Sequence, residues 1–411
     1  MTPPHAVWRN GFSRVDDVLR RFIAAEVLPC AAAAVVVGDD IVHQACIGWA
    51  DRERRVALSD AHVFRIFSNT KLVTSCAALL LVDDGMIDLD EPVADRLPAL
   101  RGMRVLRAGA TRLDDTEPLA RPITVRNLFT HTAGFSYAHT RRGTLLGDAY
   151  DSLKILQDSS QSLADVVDTL SRLPLMFQPG TRWEYSVSTD VLARLVEVVG
   201  GARLDRFFAE RIFEPLQMTD TAFHLAPARR HLLAGLYRSV HPEMPLRGGL
   251  ERCDHVLPEH AYASGSALQS GGGGLLSTTH DMAKLVRSLV SPRRALLKPT
   301  SLAWLVTDQL APGVEMRLPG GRPISGKGFS FCGAVTHTLS SLDPPGALGE
   351  VQWGGMAGTH WWVSPSNRSA AVIMTQRHMG FWHLFAFQAR REIYAALDAM
   401  HDCVAAADTL A

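Results

Sequence analysis

Ser68-Asn69-Thr70-Lys71, at the head of the apolar run Leu72–Val82, decides the reading of this chain. Serine and lysine three residues apart fall on one face of a helix. A lysine held neutral and close in a dry site can take the hydroxyl proton and leave an alkoxide-like nucleophile. The chain has five lysines, and this is its one Ser-x-x-Lys. Phe64-Arg65-Ile66-Phe67 reads as a strand end, and Gly85 fits the position just past the C-terminus of the helix. Ser68 is therefore expected at or near a helix N-terminus, where free amides and the helix dipole favour developing negative charge.

Outward from this motif the chain divides by pattern. Gly11–Val27 reads as an amphipathic helix with Val15, Val18, Leu19, Phe22 and Ile23 on one face, and Ser13 with Asp16 resembles a capping box. Ala31–Val37 and Ile41–Ile47 flank Gly38-Asp39-Asp40 and predict a β-hairpin central in a sheet. From Leu72 to about Ser270 the signals are mostly helical, with segments at Ser162–Leu173 and Val191–Val199. Arg229–Ser264 reads as a long surface excursion. Gly271–Gly274 fits a flexible loop or a close backbone approach equally well. A helix is expected to start near His280. Strand signals return at Phe329–Cys332, Val351–Trp353, His360–Val363 and Ala370–Thr375, followed by an amphipathic helix over Phe381–Met400. This order suggests one α/β domain built from both ends of the chain, with a mostly helical domain inserted.

Composition limits the function classes. The chain has 411 residues and a formal net charge of zero, without a basic run interleaved with aromatics, so nucleic acid is not an expected partner. No apolar stretch reaches about 18 residues, and the N-terminus lacks a basic start and an apolar segment, so a membrane span is not expected and a cytoplasmic location is. The six cysteines are scattered without a Cys-x-x-Cys pair, which favours buried free thiols.

Three further segments carry chemistry: Asn127-Leu128-Phe129-Thr130-His131-Thr132-Ala133-Gly134-Phe135, Phe177–Val187 with Glu184-Tyr185-Ser186-Val187, and Gln352-Trp353-Gly354-Gly355-Met356-Ala357-Gly358. With these in order, the chain resembles the class C β-lactamase superfamily of serine hydrolases, most of all the family VIII carboxylesterases, from about Val15 to Arg390. The resemblance implies a β-lactamase/penicillin-binding-protein-like fold, α/β plus all-α, in which an antiparallel sheet is flanked by helices. Residues 1–66 and 272–411 would form the α/β domain, 67–271 the mainly helical one, and the active site their junction. It also implies Ser68 as nucleophile, Lys71 and Tyr185 as the proton-transfer pair, and the amides of Ser68 and Met356 as the oxyanion hole. Trp353, Gly354, Gly355 and Tyr137 would contact substrate.

Two departures bear on specificity. β-Lactamases and D,D-peptidases usually carry Asn where Val187 stands and a cationic residue where Trp353 stands; Trp353-Gly354-Gly355 is the form seen in family VIII esterases and in the related lovastatin-type acyltransferases. A β-lactam brings a carboxylate; Trp353 offers an apolar wall and one N–H. The expectation is a serine carboxylesterase for small esters of short to medium acyl chain, with no cofactor and no metal. Acyl transfer to an alcohol or amine, β-lactam or D-amino-acid amide hydrolysis, and a non-catalytic β-lactam-binding module are the rival readings. The sequence leaves the oligomeric state open. His131 reads as part of a structural turn. Asp190 reads as a helix N-terminal carboxylate or a support of the site. Ser136 belongs to an incomplete Gly-x-Ser-x-Gly, and His255, Glu259 and His260 match no zinc spacing.

Overall fold

The computed structural model describes residues 11–257, 262–263, 266–317 and 321–409. Both halves of the chain build one sheet. Helix α1 (Ser13–Ala24) leads into the hairpin of β1 (Cys30–Val37) and β2 (Asp40–Asp51), and β3 (Val56–Ala57) adds to its edge. The later strands are β4 (Lys327–Phe329), β5 (Ala334–Thr336), β6 (Val351–Gly354), β7 (His360–Ser364) and β8 (Ser369–Met374). Their order is β4-β5-β6-β7-β8-β1-β2-β3. Strand β1 is the antiparallel seam, with Ala32 opposite Met374 on one side and Cys46 on the other.

Strand β1 reads Cys-Ala-Ala-Ala-Ala-Val-Val-Val because both of its faces are covered. Ala31, Ala33 and Val35 pack in a core with Val15 and Leu19 of α1 and with Phe385 and Ile393 of α5 (Leu384–Thr409). Ala32, Ala34 and Val36 join a second core with α2 (Thr70–Asp83), α3 (Ser188–Gly200) and α4 (Thr279–Ser288). Helix α2 is buried from Thr70 through Leu81. Each large apolar side chain so buried contributes about 1.5–3 kcal/mol before entropy is counted. A helix held on every face in this way fixes the position of its first turn, where Lys71 stands, and of Ser68 just ahead of it.

Several expectations meet corrections. Ser13 and Asp16 form no capping box: Phe12 is the N-cap without a side-chain bond, and Asp16 Oδ1 instead meets His43 Nε2 of β2 at 3.0 Å. A tertiary partner outcompetes the local cap. Strand β5 was not legible, since three residues after Gly333 are too few to show alternation. The region between α2 and α4 also holds two small antiparallel ladders, Arg104–Leu106 with Thr116–Pro118 and Tyr237–Ser239 with Leu250–Arg252. The latter belongs to the expected surface excursion, yet Tyr237 is fully buried. Glu259 and His260 lie outside the described residues. No helix of the described residues is long and apolar enough to cross a membrane. Cys30, Cys46, Cys76, Cys253 and Cys332 are free thiols, Cys46 exposed and the rest buried.

Candidate active site

Ser68 sits in a short 3₁₀ turn, Phe67–Asn69, that runs into α2. The residue before it, Phe67, has φ of 43°, a conformation a bulky L-residue adopts only when its surroundings impose it. The imposing contacts come from three sides. Phe64–Arg65 pairs with Leu276–Ser277, Ile66 N donates to Leu275 O at 3.2 Å, and Thr359 Oγ1 donates to Ile66 O at 3.1 Å.

Tyr185 is the direct partner of the serine: its hydroxyl donates to Ser68 Oγ at 2.7 Å. Lys71, 3% exposed, points elsewhere. Its Nζ donates to Gly272 O at 2.6 Å and to Tyr137 Oη at 3.1 Å, and lies 4.7 Å from the centre of the Tyr185 ring. The lysine thus stands behind the tyrosine. A cation over that ring face is attracted by its quadrupole.

The Gly271–Gly274 run is the close-approach case. A Cβ on Gly271 would meet Ala193 Cβ at 2.4 Å, and one on Gly272 would meet Asp190 Oδ2 at 2.5 Å and Tyr137 Oη at 3.0 Å. Asp190, in the first turn of α3, is completely buried. Its Oδ1 accepts from Ser270 Oγ at 2.6 Å and from Gly272 N at 3.0 Å, while Oδ2 has no partner. Burial pushes its carboxyl above the usual value, against the opposing pull of the Lys71 charge and these hydrogen bonds. Sequence reasoning weighed Asp190 as a support but could not see it under the lysine, because only the glycine turn joins them.

His131 belongs to the loop that holds Tyr185. Its Nδ1 accepts the Ser186 amide at 3.3 Å, and its carbonyl accepts the Glu184 amide at 2.9 Å. Burial, and then the Lys71 charge, push its imidazole well below the usual value, so it is neutral. Glu184 pairs with Arg141 and accepts from Ser136 Oγ at 3.0 Å, which places Ser136 in a buried structural bond.

Gly354 and Gly355 close the site from β6. A Cβ on Gly355 would stand 2.3 Å from both Ile66 O and Thr359 Oγ1. Glycine therefore lets the strand end lie against the backbone just before Ser68. Neither the Ser68 nor the Met356 amide donates to another backbone group among the described residues. Both residues line one cavity of about 270 Å³. Trp353 Nε1 donates to Tyr185 Oη at 3.4 Å, and Trp183, Tyr185, Phe329 and Trp353 form an aromatic box. Met316, Ile324, Met379, Phe381 and Trp382 complete the apolar wall and were not singled out in the sequence. Gly354 lines this cavity; Tyr137 and Gly355 are not among its lining residues. Arg317 is the one lining cation near the surface, and it pairs with Glu315 at 3.1 Å. No cluster of metal-ligating side chains occurs among the described residues.

A family model described as Beta-lactamase matches residues 15–391. The chain belongs to the Beta-lactamase family. Its relatives include an acyltransferase, calJ, of Penicillium decumbens, 32% identical over 77% of this chain and 76% of that protein. They also include the esterase EstB of Burkholderia gladioli, 29% identical over 88% of this chain and 90% of EstB. Among solved structures, EstCE1, "a hydrolase with promiscuous acyltransferase activity", superposes with a TM-score of 0.80 at 24% identity, over 94% of this chain and 99% of EstCE1. That likeness establishes the fold: the antiparallel sheet with flanking helices is the β-lactamase-like one expected from the sequence.

Proposed function

We propose that this Beta-lactamase family member is a serine carboxylesterase acting through an acyl-enzyme. The observation that carries the reading is the 2.7 Å bond from Tyr185 Oη to Ser68 Oγ, beside a cavity with apolar walls. In the reacting state Tyr185 has given its own proton to Lys71, so the 2.7 Å bond reverses: Ser68 Oγ passes its proton to the phenolate as it attacks the ester carbonyl, and the buried Lys71 ammonium balances the charge. The amides of Ser68 and Met356 receive the oxyanion. Tyr185 returns the proton to the leaving alkoxide. Water then attacks the acyl-enzyme by the same route and releases the acid. Residues 1–66 and 272–411 serve as the α/β part and 67–271 as the mainly helical part, with the reaction at their junction.

Specificity follows from the walls. Trp353 stands where a carboxylate-binding cation would be needed, and Val187 is buried. A carboxylate beside the scissile bond would be desolvated without a counter-charge, which costs several kcal/mol or orders of magnitude in rate. Uncharged esters are therefore preferred over penicillins. Transfer of the acyl group to an alcohol is a second reading, favoured by the acyltransferase among the relatives and by the description of EstCE1. One panel tests both: kcat/KM for p-nitrophenyl acetate, p-nitrophenyl butyrate, a penicillin and a cephalosporin, with product analysis in the presence of added alcohols. A β-lactam rate equal to the ester rate refutes the pocket reading. Undiminished p-nitrophenol release by Ser68→Ala refutes an acyl-enzyme on Ser68.

A further inference from the structure

A second cavity, of about 910 Å³, opens beside the catalytic one. The two share Met379, Phe381 and Trp382, so one ridge divides them. That ridge is unusually apolar for a surface, with Met379 60% and Trp382 47% exposed. Val240 and Leu246, also exposed, form the facing bank. The backbone ties the ridge to the reaction centre: Arg377 N donates to Ala357 O at 2.9 Å and Gly380 N to Met356 O at 3.1 Å.

The floor of this second cavity holds Arg377. Three arginines are buried among the described residues: Arg65 (6% exposed), Arg377 (5%) and Arg390 (2%). Arg65 pairs with Asp254, and Arg390 pairs with Asp343 and Glu350. Arg377 has only neutral partners, Val27 O at 3.1 Å from Nε and Pro245 O at 3.4 Å from Nη2. Its Nη1 has no partner among the described residues and is not sealed from solvent. Burial pulls its guanidinium below the usual value, as expected of a cation without a counter-charge. The other charged lining groups, Arg238 and Glu251, neutralise each other at 2.5 Å. His378 and His383 are both held below the usual imidazole value by burial. The cavity floor is thus a single uncompensated positive charge.

We infer that this second cavity binds a carboxylate on the remote part of the substrate, seated on Arg377, with the apolar middle of the substrate lying across Met379 and Trp382. The inference rests on the ester hydrolase reading and names its substrate class: esters of long apolar molecules that end in a free acid. Near the scissile bond Trp353 disfavours such a charge; one cavity further on, Arg377 accepts it. A carboxylate matches one guanidinium, whereas a phosphate dianion would be left half compensated.

Two ester series test this: the mono-p-nitrophenyl esters of succinic, adipic and sebacic acid, with the free acid on the acyl side, and the acetate esters of 4-hydroxybutanoic, 6-hydroxyhexanoic and 10-hydroxydecanoic acid, with the free acid on the alcohol side. Each is compared with its methyl-capped neutral counterpart. The readout is the ratio of kcat/KM, acid over capped, which cancels any partial loss of folded enzyme. In one of the series the ratio should rise with length to about tenfold, the worth of one charge-assisted hydrogen bond. It should fall to about unity in Arg377→Gln. If that variant does not fold, Leu246→Glu, at the exposed rim, should lower the ratio by repulsion. Calorimetric titration of Ser68→Ala with monomethyl sebacate reads the site without turnover, so loss of the esterase reading and loss of the carboxylate site remain distinguishable. A ratio at or below one in both series, or binding of monomethyl sebacate that Arg377→Gln leaves undiminished, overturns the inference.

Discussion

Tyr185→Phe removes one oxygen and leaves the ring. The lost hydroxyl donates to Ser68 Oγ at 2.7 Å and accepts from Trp353 Nε1 at 3.4 Å, the latter too long to hold much energy. The ring keeps its contacts with Trp183, Trp353 and His131. Stability should therefore fall by about 1 kcal/mol, one hydrogen bond. The rate should fall far more. A positioned proton-transfer group is worth about 10²–10⁴ in rate, or roughly 3–5 kcal/mol of barrier. Among the described residues Tyr185 is the one side chain hydrogen-bonded to the serine oxygen, while Lys71 is engaged by Tyr137 and Gly272. The loss should lie in the upper part of that range, about 10³ or more in the acylation rate. Stopped-flow release of p-nitrophenol from p-nitrophenyl butyrate measures it directly. Adding Lys71→Ala to Tyr185→Phe should cost less than about tenfold more, because both residues serve one proton path. Retention of activity within about tenfold in Tyr185→Phe, or losses that simply multiply, would refute the assignment of the tyrosine as immediate proton acceptor.

A fluorophosphonate probe should label Ser68 and lose its target in Ser68→Ala; mass-spectrometric labelling of Ser136 instead would contradict the buried bond to Glu184. Gly355→Ala puts a methyl carbon 2.3 Å from Ile66 O, so β6 and the Ser68 turn must separate. A hundredfold loss of kcat/KM, on the order of 3 kcal/mol, is expected with a smaller loss of stability by urea denaturation. Although burial alone would raise the Asp343 carboxyl, Arg390, Ser340 and Lys327 hold it well below the usual value. Its contribution is therefore full above the unfolded value of about 3.9 and is lost as pH falls further. Asp343→Asn should lose about 3–5 kcal/mol at neutral pH, because the part-buried Lys327 loses its carboxylate and Arg390 keeps only Glu350, and its stability should depend less on pH in the acid range. Glu350, raised by burial, runs the opposite way, and denaturant melts across pH of the two proteins measure the difference.

The sequence by itself determined the helix that follows Ser68 and carries Lys71, the N-terminal hairpin, strands β6, β7 and β8, and the family; it put a strand at Phe329–Cys332 where the chain has already left β4, and it did not show β5. These depend on spacing along the chain: a run from Leu72 to Leu81 that is apolar apart from Thr74 and Ser75, Gly38 at φ 58° in the hairpin turn, and Gly85 at φ 72° past the helix. Periodicity and turn chemistry are local, so they can be read one residue after another. Tertiary structure decided what each side chain meets. It put Tyr185 on the serine oxygen and turned Lys71 toward Tyr137 and Gly272. It set Asp190 beneath a glycine turn from a distant part of the chain. Among the described residues it left Arg377 as the one buried arginine without an acid. Those outcomes follow from sheet register and from the closeness with which separate segments pack, and no stretch of sequence encodes the distance between two side chains that only the assembled core brings together.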